Sequence, residues 1–323
     1  MFDALLHKRP GRILGLTLGL MAALPAAHAT ENWVQTGVTV FAADADPFRG
    51  QGVTTDGSQW FFSGTNALER AQLGSFTPLQ RQTPAIASAL ANPNPLAYKG
   101  LNHIGDIDYA NGLLYISLDS SQRDPVTRGR YETPVVAIYN ASDLSFTGKA
   151  YQLNPPHGTS DIASWVAVDA KAGLGYAMAY DNATEMTVYN LADWSFNKYL
   201  SLSTSIDQAQ GCKIYAGGAY CASDDASKTI RRVDLSTGKV EDLFSIKTPY
   251  DQEIEGLAFI QTAGGLTLNV INREDPDPLD PSKQNVSFYQ YTLTPVPEPA
   301  TSALLGLGLV AVGLAGQRRR RSA

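Results

Sequence analysis

The chain has 323 residues, with 25 Lys and Arg against 31 Asp and Glu, for a formal net charge of −6. Without its basic ends, the stretch 30–295 keeps 18 basic and 29 acidic side chains and no basic cluster, which excludes a nucleic-acid binder. Its 266 residues suffice for one large all-β domain or two ordinary ones, and the acidic surface suits solubility outside the cell and cation binding.

At the start, Lys8, Arg9 and Arg12 precede an apolar stretch from Ile13 to Leu24, and Ala27-His28-Ala29 gives a small-x-small cleavage pattern. This reads as a secretory signal peptide over 1–29, cut after Ala29. Strand character begins at Trp33 and runs to Val40. Five segments then share one order: a polar residue, an apolar strand, a Gly or Asn turn, an aromatic-rich strand, and further strands. Their inner strands begin at Gln51-Gly52-Val53, His103-Ile104-Gly105-Asp106, Trp165-Val166-Ala167, Gly211-Cys212-Lys213 and Glu255-Gly256-Leu257. Short strands with turn chemistry, recurring at about 45 to 55 residues, describe four-stranded propeller blades. Pro84 to Leu90 is at most a short helix in an insertion. The fifth repeat has only three clear strands, so the N-terminal strand is expected to close the ring as its outer strand, removing an open edge. Five blades are expected, six if Gly74 to Asn102 hides a degenerate one; a two-sheet sandwich is the remaining alternative.

Cys212 and Cys221 are the only cysteines, an even pair that suits a disulfide in an exported protein. With Ala216-Gly217 as a two-residue hairpin loop, Tyr215 pairs with Gly218 and the cysteines fall opposite each other. With Gly217-Gly218 as the turn they are offset by two. A reduced structural pair is the other reading.

The first residues of the inner strands converge on one mouth of the ring. Aligning the repeats brings together Gln51, Gly105-Asp106, Ser164, Gln210 and Glu255, with His103 and Glu253 two positions earlier. Carboxylates this close raise one another's pKa unless a cation or proton sits between them. Asp106, Glu253 and Glu255 are therefore metal-ligand candidates, with Ca²⁺ the first choice for hard oxygen donors. A water-filled polar channel is the plainer reading.

No catalytic set stands out. His103 and His157 are the only histidines outside the signal peptide, no Gly-x-Ser-x-Gly elbow is present, and His157 to Asp161 lie adjacent in one loop. Asp44-Ala45-Asp46, Asp224-Asp225 and Glu274 to Asp280 are acidic loops without EF-hand order. Trp60, Trp165 and Trp194 are read as packing residues before sugar platforms. Glu255-Gly256-Leu257-Ala258 is similar to the opening of phytase-like esterase propellers, a resemblance that implies calcium dependence. As a set, the repeats resemble uncharacterised exported propellers with Gln-Gly, His-Ile-Gly-Asp and Glu-Gly blade starts, which brings no activity.

The tail reads Val296-Pro297-Glu298-Pro299, an apolar run from Ala300 to Gly316, then Arg318-Arg319-Arg320-Arg321. Seventeen apolar or small residues sit at the lower limit for a helix crossing a bilayer core of about 30 Å, and the arginines would stay on the cytoplasmic side. This order over 296–323 resembles the PEP-CTERM sorting signal of Gram-negative bacteria. The resemblance implies the secretion machinery and an exosortase as partners, a transient inner-membrane intermediate, and a cell-surface or extracellular destination linked to exopolysaccharide. A plain membrane anchor is the alternative. The function expected is an exported β-propeller that binds extracellular glycans or surface proteins, or has a structural role. The competing class is a calcium-dependent esterase- or phosphoesterase-like hydrolase or lyase centred on the mouth.

Overall fold

A computed structural model describes residues 31–41, 46–91, 101–123, 130–153, 164–248, 250–277, 279–280 and 284–294. Both expected targeting segments, including the apolar run 300–316, lie outside them. Among the described residues no helix is long and apolar enough to cross a membrane.

The first strand is β1 (Asn32–Val40), followed by a one-turn helix, α1 (Asp46–Arg49). Blade 1 comprises β2 (Gly52–Thr55), β3 (Gln59–Gly64), β4 (Ala67–Gln72) and β5 (Pro78–Gln82). A second one-turn helix, α2 (Ser88–Ala91), separates it from blade 2, with β6 (His103–Ala110), β7 (Leu113–Arg123), β8 (Arg130–Asn140) and β9 (Phe146–Gln152). Blade 3 has β10 (Ala167–Asp169), β11 (Leu174–Met178), β12 (Ala183–Asn190) and β13 (Phe196–Ile206). Blade 4 has β14 (Ala209–Tyr215), β15 (Gly218–Ser223), β16 (Thr229–Asp234) and β17 (Val240–Ser245). Blade 5 takes β18 (Asp251–Thr262), β19 (Gly265–Asp275) and β20 (Asn285–Thr294), and its fourth strand is β1.

The fold is thus a five-bladed β-propeller closed by the N-terminal strand. β1 runs antiparallel to β20 from Asn32 opposite Thr294 to Val40 opposite Ser287, with a bulge between Gln35 and Gly37. The segment from Gly74 to Asn102 supplies β5 and α2 but no sixth sheet among the described residues. Blade 4 has Tyr215 opposite Gly218, and Cys212 is disulfide-bonded to Cys221 directly across the hairpin.

Each sheet is apolar on both faces because each is packed on both sides. The core is divided into five clusters, one per blade interface. Phe61 and Leu68 of blade 1 meet Ile104 and Ile107 of blade 2. Tyr115 and Val136 meet Val168 and Tyr189, Met178 and Met186 meet Cys212 and Val233, Tyr220 and Ile230 meet Leu257 and Val270. Phe62 and Trp60 close the circuit on Phe288 and Ile271. Trp33 of β1 is buried in the fourth of these interfaces, and Glu31 before it accepts from the Trp33 indole at 2.9 Å and the Tyr220 hydroxyl at 2.6 Å.

The turn into the outer strand recurs in four blades. Phe76, Leu144, Trp194 and Gly238 occupy the same place, each with φ between 54° and 74°, and each donates its N–H four residues back, to Gln72, Asn140, Asn190 and Asp234. A positive φ favours glycine, yet Leu144 and Trp194 are 0 % and 2 % exposed. Burying those side chains offsets the backbone strain, whose usual cost is about 1–3 kcal/mol.

At the axis the inner strands meet directly. Asp106 N–H donates to the Ser164 carbonyl at 2.8 Å, and Gly256 N–H to the Gln51 carbonyl at 2.9 Å. A methyl group on Gly211 would lie 2.7 Å from both Asp106 Oδ2 and the Gly256 Cα, and one on Gly256 2.7 Å from the Gly52 Cα. Three glycines from three blades therefore let the backbones touch around the Asp106 carboxylate. Its Oδ1 accepts from Val53 N–H of blade 1 at 3.1 Å and Ile107 N–H at 2.9 Å, while its Oδ2 pairs with the Lys213 ammonium of blade 4. Replacing Asp106 with Asn keeps the Oδ1 acceptor but strands the buried Lys213 charge. The expected loss is about 3–5 kcal/mol, and adding Lys213→Met should recover most of it. Chemical denaturation of the three variants measures both values; an unchanged midpoint in Asp106→Asn contradicts the lock.

Candidate functional site

Six of the seven residues expected at the mouth lie near the starts of inner strands, and five of them form two hydrogen-bonded groups. The Gln51 amide is fixed by its donors: Nε2 gives to the Gly50 carbonyl at 3.0 Å and to Glu255 Oε1 at 3.2 Å. Its Oε1 therefore faces His103 Nε2, 2.8 Å away, and His103 Nδ1 is 3.0 Å from Asp119 Oδ1. On the other side Gln210 Nε2 donates to Glu253 Oε1 at 3.0 Å. Arg273 joins the groups, with Nη1 3.4 Å from Glu253 Oε2 and 4.0 Å from Glu255 Oε1. Ser164 is 5 % exposed; its carbonyl serves the axis and its hydroxyl has no hydrogen-bond partner among the described residues.

Asp106 does not stand with the others. A bulge between Ile104 and Ile107 turns it inward to the sealed axis, where it is fully buried. Asp108, two residues on, is a second tie across blades: Oδ1 accepts from the Thr54 hydroxyl at 3.2 Å and Oδ2 from Val168 N–H at 2.8 Å.

Asp119, Lys213 and Arg273 were missed by the sequence reading. Asp119 and Arg273 come from second strands, β7 and β19, which an alignment of inner-strand starts does not sample. Lys213 sits inside an apolar inner strand. Together Lys213 and Arg273 supply the positive charge that the carboxylates of the mouth require. The set Asp106, Glu253 and Glu255 does not fit a shared ion: Asp106 is engaged by Lys213, and the two glutamates face Arg273. Among the described residues no group of three His, Cys, Asp or Glu side chains converges as a metal cage.

The other candidates are placed as follows. Asp224 accepts from Ile254 N–H at 2.8 Å and from Lys228 Nζ at 2.6 Å, tying blade 4 to blade 5, while Asp225 pairs with Arg231 at 2.6 Å within blade 4. Glu274 is 5 % exposed and accepts from Ser287 and Tyr289 hydroxyls. Trp60, Trp165 and Trp194 are 3 %, 1 % and 2 % exposed, so they pack between blades and offer no face to a sugar. His157 and Asp161 lie outside the described residues.

Two clefts open at this end of the ring and share Arg273. One, of about 350 Å³, runs between blade 1 and Arg273 and is lined by Gln51, Thr65, Asn66 and Thr83. The other, of about 180 Å³, is lined by Gln252, Glu253, Glu274, Asp275 and Gln284.

Burial, then the Glu253 charge, pushes the Glu255 carboxyl well up, with Arg273 opposing. Burial pushes Asp106 up to about 7 against Lys213, and raises Asp108 and Asp224 as well. In the exposed turns the sign is opposite: the hydroxyls of Ser145, Ser195 and Ser236 hold Asp143, Asp193 and Asp234 below the usual range.

Residues 295–321 match the PEP-CTERM protein-sorting motif, and with the described ring this defines the class: a β-propeller bearing a PEP-CTERM signal. That motif implies processing by an exosortase, export and a cell-surface destination. No curated protein sequence matches the chain. Among solved structures it is similar to the β-xylosidase RS223, at 11 % identity over 80 % of this chain and 98 % of that one, with a TM-score of 0.56. It is also aligned with hydrazine synthase of Kuenenia stuttgartiensis at 13 % identity, covering 80 % of this chain and 61 % of that one, with a TM-score of 0.40. The first similarity concerns the fold, which does not carry function with it.

The pH dependence of stability follows from the raised carboxyls. An acid whose pKa is higher folded than unfolded keeps its proton in the native state where the unfolded chain has released it. Its contribution to stability is therefore lost as pH rises from about 4 through the folded value, as for Glu255, which burial and the Glu253 charge hold well above its usual range. The lowered turn aspartates lose theirs as pH falls below about 4. The melting temperature should peak in mildly acidic buffer and fall towards pH 8. Glu255→Gln should flatten that fall in a calorimetric pH series; the same slope in the variant would remove Glu255 as its source.

Proposed function

We propose that this chain is an exported, surface-directed binding or structural module whose working face is the mouth between blades 5 and 1. The observation that carries the reading is the state of the mouth residues: they hold one another in hydrogen bonds beside two open clefts, above an axis where the inner-strand backbones touch. Such an arrangement suits recognition. Extracellular glycans, or proteins of the same surface, are the partners this reading assigns.

A second reading rests on Glu255. A carboxyl whose hold on its proton is strengthened by burial is suited to general-acid chemistry, and His103 oriented by Asp119 is suited to proton transfer. This would make the mouth the centre of a hydrolase or lyase, with calcium as the cofactor considered.

Two experiments separate these. Co-sedimentation of the protein with extracellular polysaccharide, beside a screen of p-nitrophenyl esters, phosphoesters and glycosides with added Ca²⁺ or EDTA, should give retention without turnover. Turnover abolished by Glu255→Gln or dependent on Ca²⁺ would replace the binding reading with the enzymatic one. For sorting, alanine at Pro297, Glu298 and Pro299 should leave the tail uncleaved in cells with the cognate exosortase, as read on a blot with a C-terminal epitope.

A further inference from the structure

From the two clefts that share Arg273 we infer that the mouth holds an uncharged, hydroxyl-rich chain: a neutral oligosaccharide laid across Arg273, with one sugar unit in each cleft. This inference rests on the binding reading above and names the ligand class of the same face.

The larger cleft is a donor wall. Asn66 Oδ1 accepts from the N–H groups of Ala85 at 3.1 Å and Ile86 at 3.0 Å, which fixes the amide so that its Nδ2 end remains for a ligand. Thr65 adds an exposed hydroxyl at this wall. The smaller cleft is an acceptor wall, where the Glu253 side chain is 44 % exposed and Asp275 stands beside it. The Arg273 side chain, 29 % exposed, lines both clefts and forms the ridge between them.

A ligand crossing that ridge must accept on one side and donate on the other. Hydroxyl groups do both, so a sugar matches both walls without changing register. A polyanion would meet Glu253 and Asp275 on a domain already rich in acid, and a polycation would meet Arg273. The smaller cleft is lined by Gln252, Glu253, Arg273, Glu274, Asp275 and Gln284, which offer an apolar side chain no pocket. The larger adds Pro47 and Ala67 to its polar groups, a mixed wall that suits the polar edges and apolar face of a sugar ring. No aromatic ring lines either cleft, so affinity comes from hydrogen bonds and is modest.

The test is calorimetric titration of the full chain, in a detergent without a sugar headgroup, with cellotriose, xylotriose, maltotriose and chitotriose. Tri-galacturonate and trilysine serve as charged controls. At least one neutral trisaccharide should bind with a Kd of about 1 mM or tighter, and the charged trimers should not. Thr65→Phe, which fills the larger cleft from an exposed position, and Arg273→Ala should each weaken that binding about tenfold or more. Melting temperatures check both variants; if Arg273→Ala unfolds, Thr65→Phe alone decides. Unchanged binding in a folded Thr65→Phe places the sugar elsewhere and overturns the inference. Preference for a charged trimer overturns the ligand class. Retention on polysaccharide without trisaccharide binding removes this subsite and leaves the binding module standing. Neither retention nor binding removes both.

Discussion

Five sheets cannot converge on one axis unless something lets their backbones touch, and here that is a single carboxylate with glycines around it. Asp106 accepts from blade 1, is ion-paired to blade 4, and its own backbone donates to blade 3. A residue with a side chain at Gly52, Gly211 or Gly256 would hold the inner strands apart. The charge is tolerated because Lys213 and two N–H groups satisfy it; an unpaired carboxylate at that depth would instead protonate or open the ring. Every blade start is positioned relative to this point.

Away from the axis the ring depends on apolar area rather than polar ties. Each interface is a separate cluster, so the loss of one contact is felt mainly by two neighbouring blades. The left-handed turns show how local strain is exchanged for packing. Trp194 lies over Gly175, where even a methyl group would meet the indole at 2.7 Å, and Leu144 is buried in the cluster shared by blades 1 and 2. The Asp-x-Ser turns that precede these outer strands add a second device: Asp143 and Asp193 each bind the hydroxyl and N–H two residues on.

The repeat and the ring closure were legible because they follow from two-residue alternation and a missing fourth strand. A surplus strand at the N-terminus and a deficit at the C-terminus have one economical solution in a ring. The site was only partly legible. Residues at inner-strand starts were found as a group because the topology itself gathers them. Two things escaped. Bulges at Ile104–Ile107 and Ile254–Leu257 shift the register by one residue, which a linear alignment does not represent, so Asp106 was placed at the mouth when it lies on the axis. The cations came from positions whose neighbours are ordinary strand residues, Lys213 between Cys212 and Ile214 and Arg273 between Asn272 and Glu274, so nothing local marked them. Leu144 and Trp194 had a signal that was available: Asn-x-x-Asp-Leu/Trp-Ser-Phe stands at both 140–146 and 190–196.

A sealed axis changes where a propeller can bind. With the inner-strand backbones touching at the centre, one open cleft lies where the closing blade meets the first and the other within the closing blade itself. The same blade ends the folded domain: Thr294 pairs with Asn32, and the matched sorting motif begins at residue 295. Cleavage within or beyond that motif therefore leaves every described strand in place. The hydrogen bonds that close the ring thus end just before the residues of the sorting motif, so the seam and the sorting signal are separate stretches of chain.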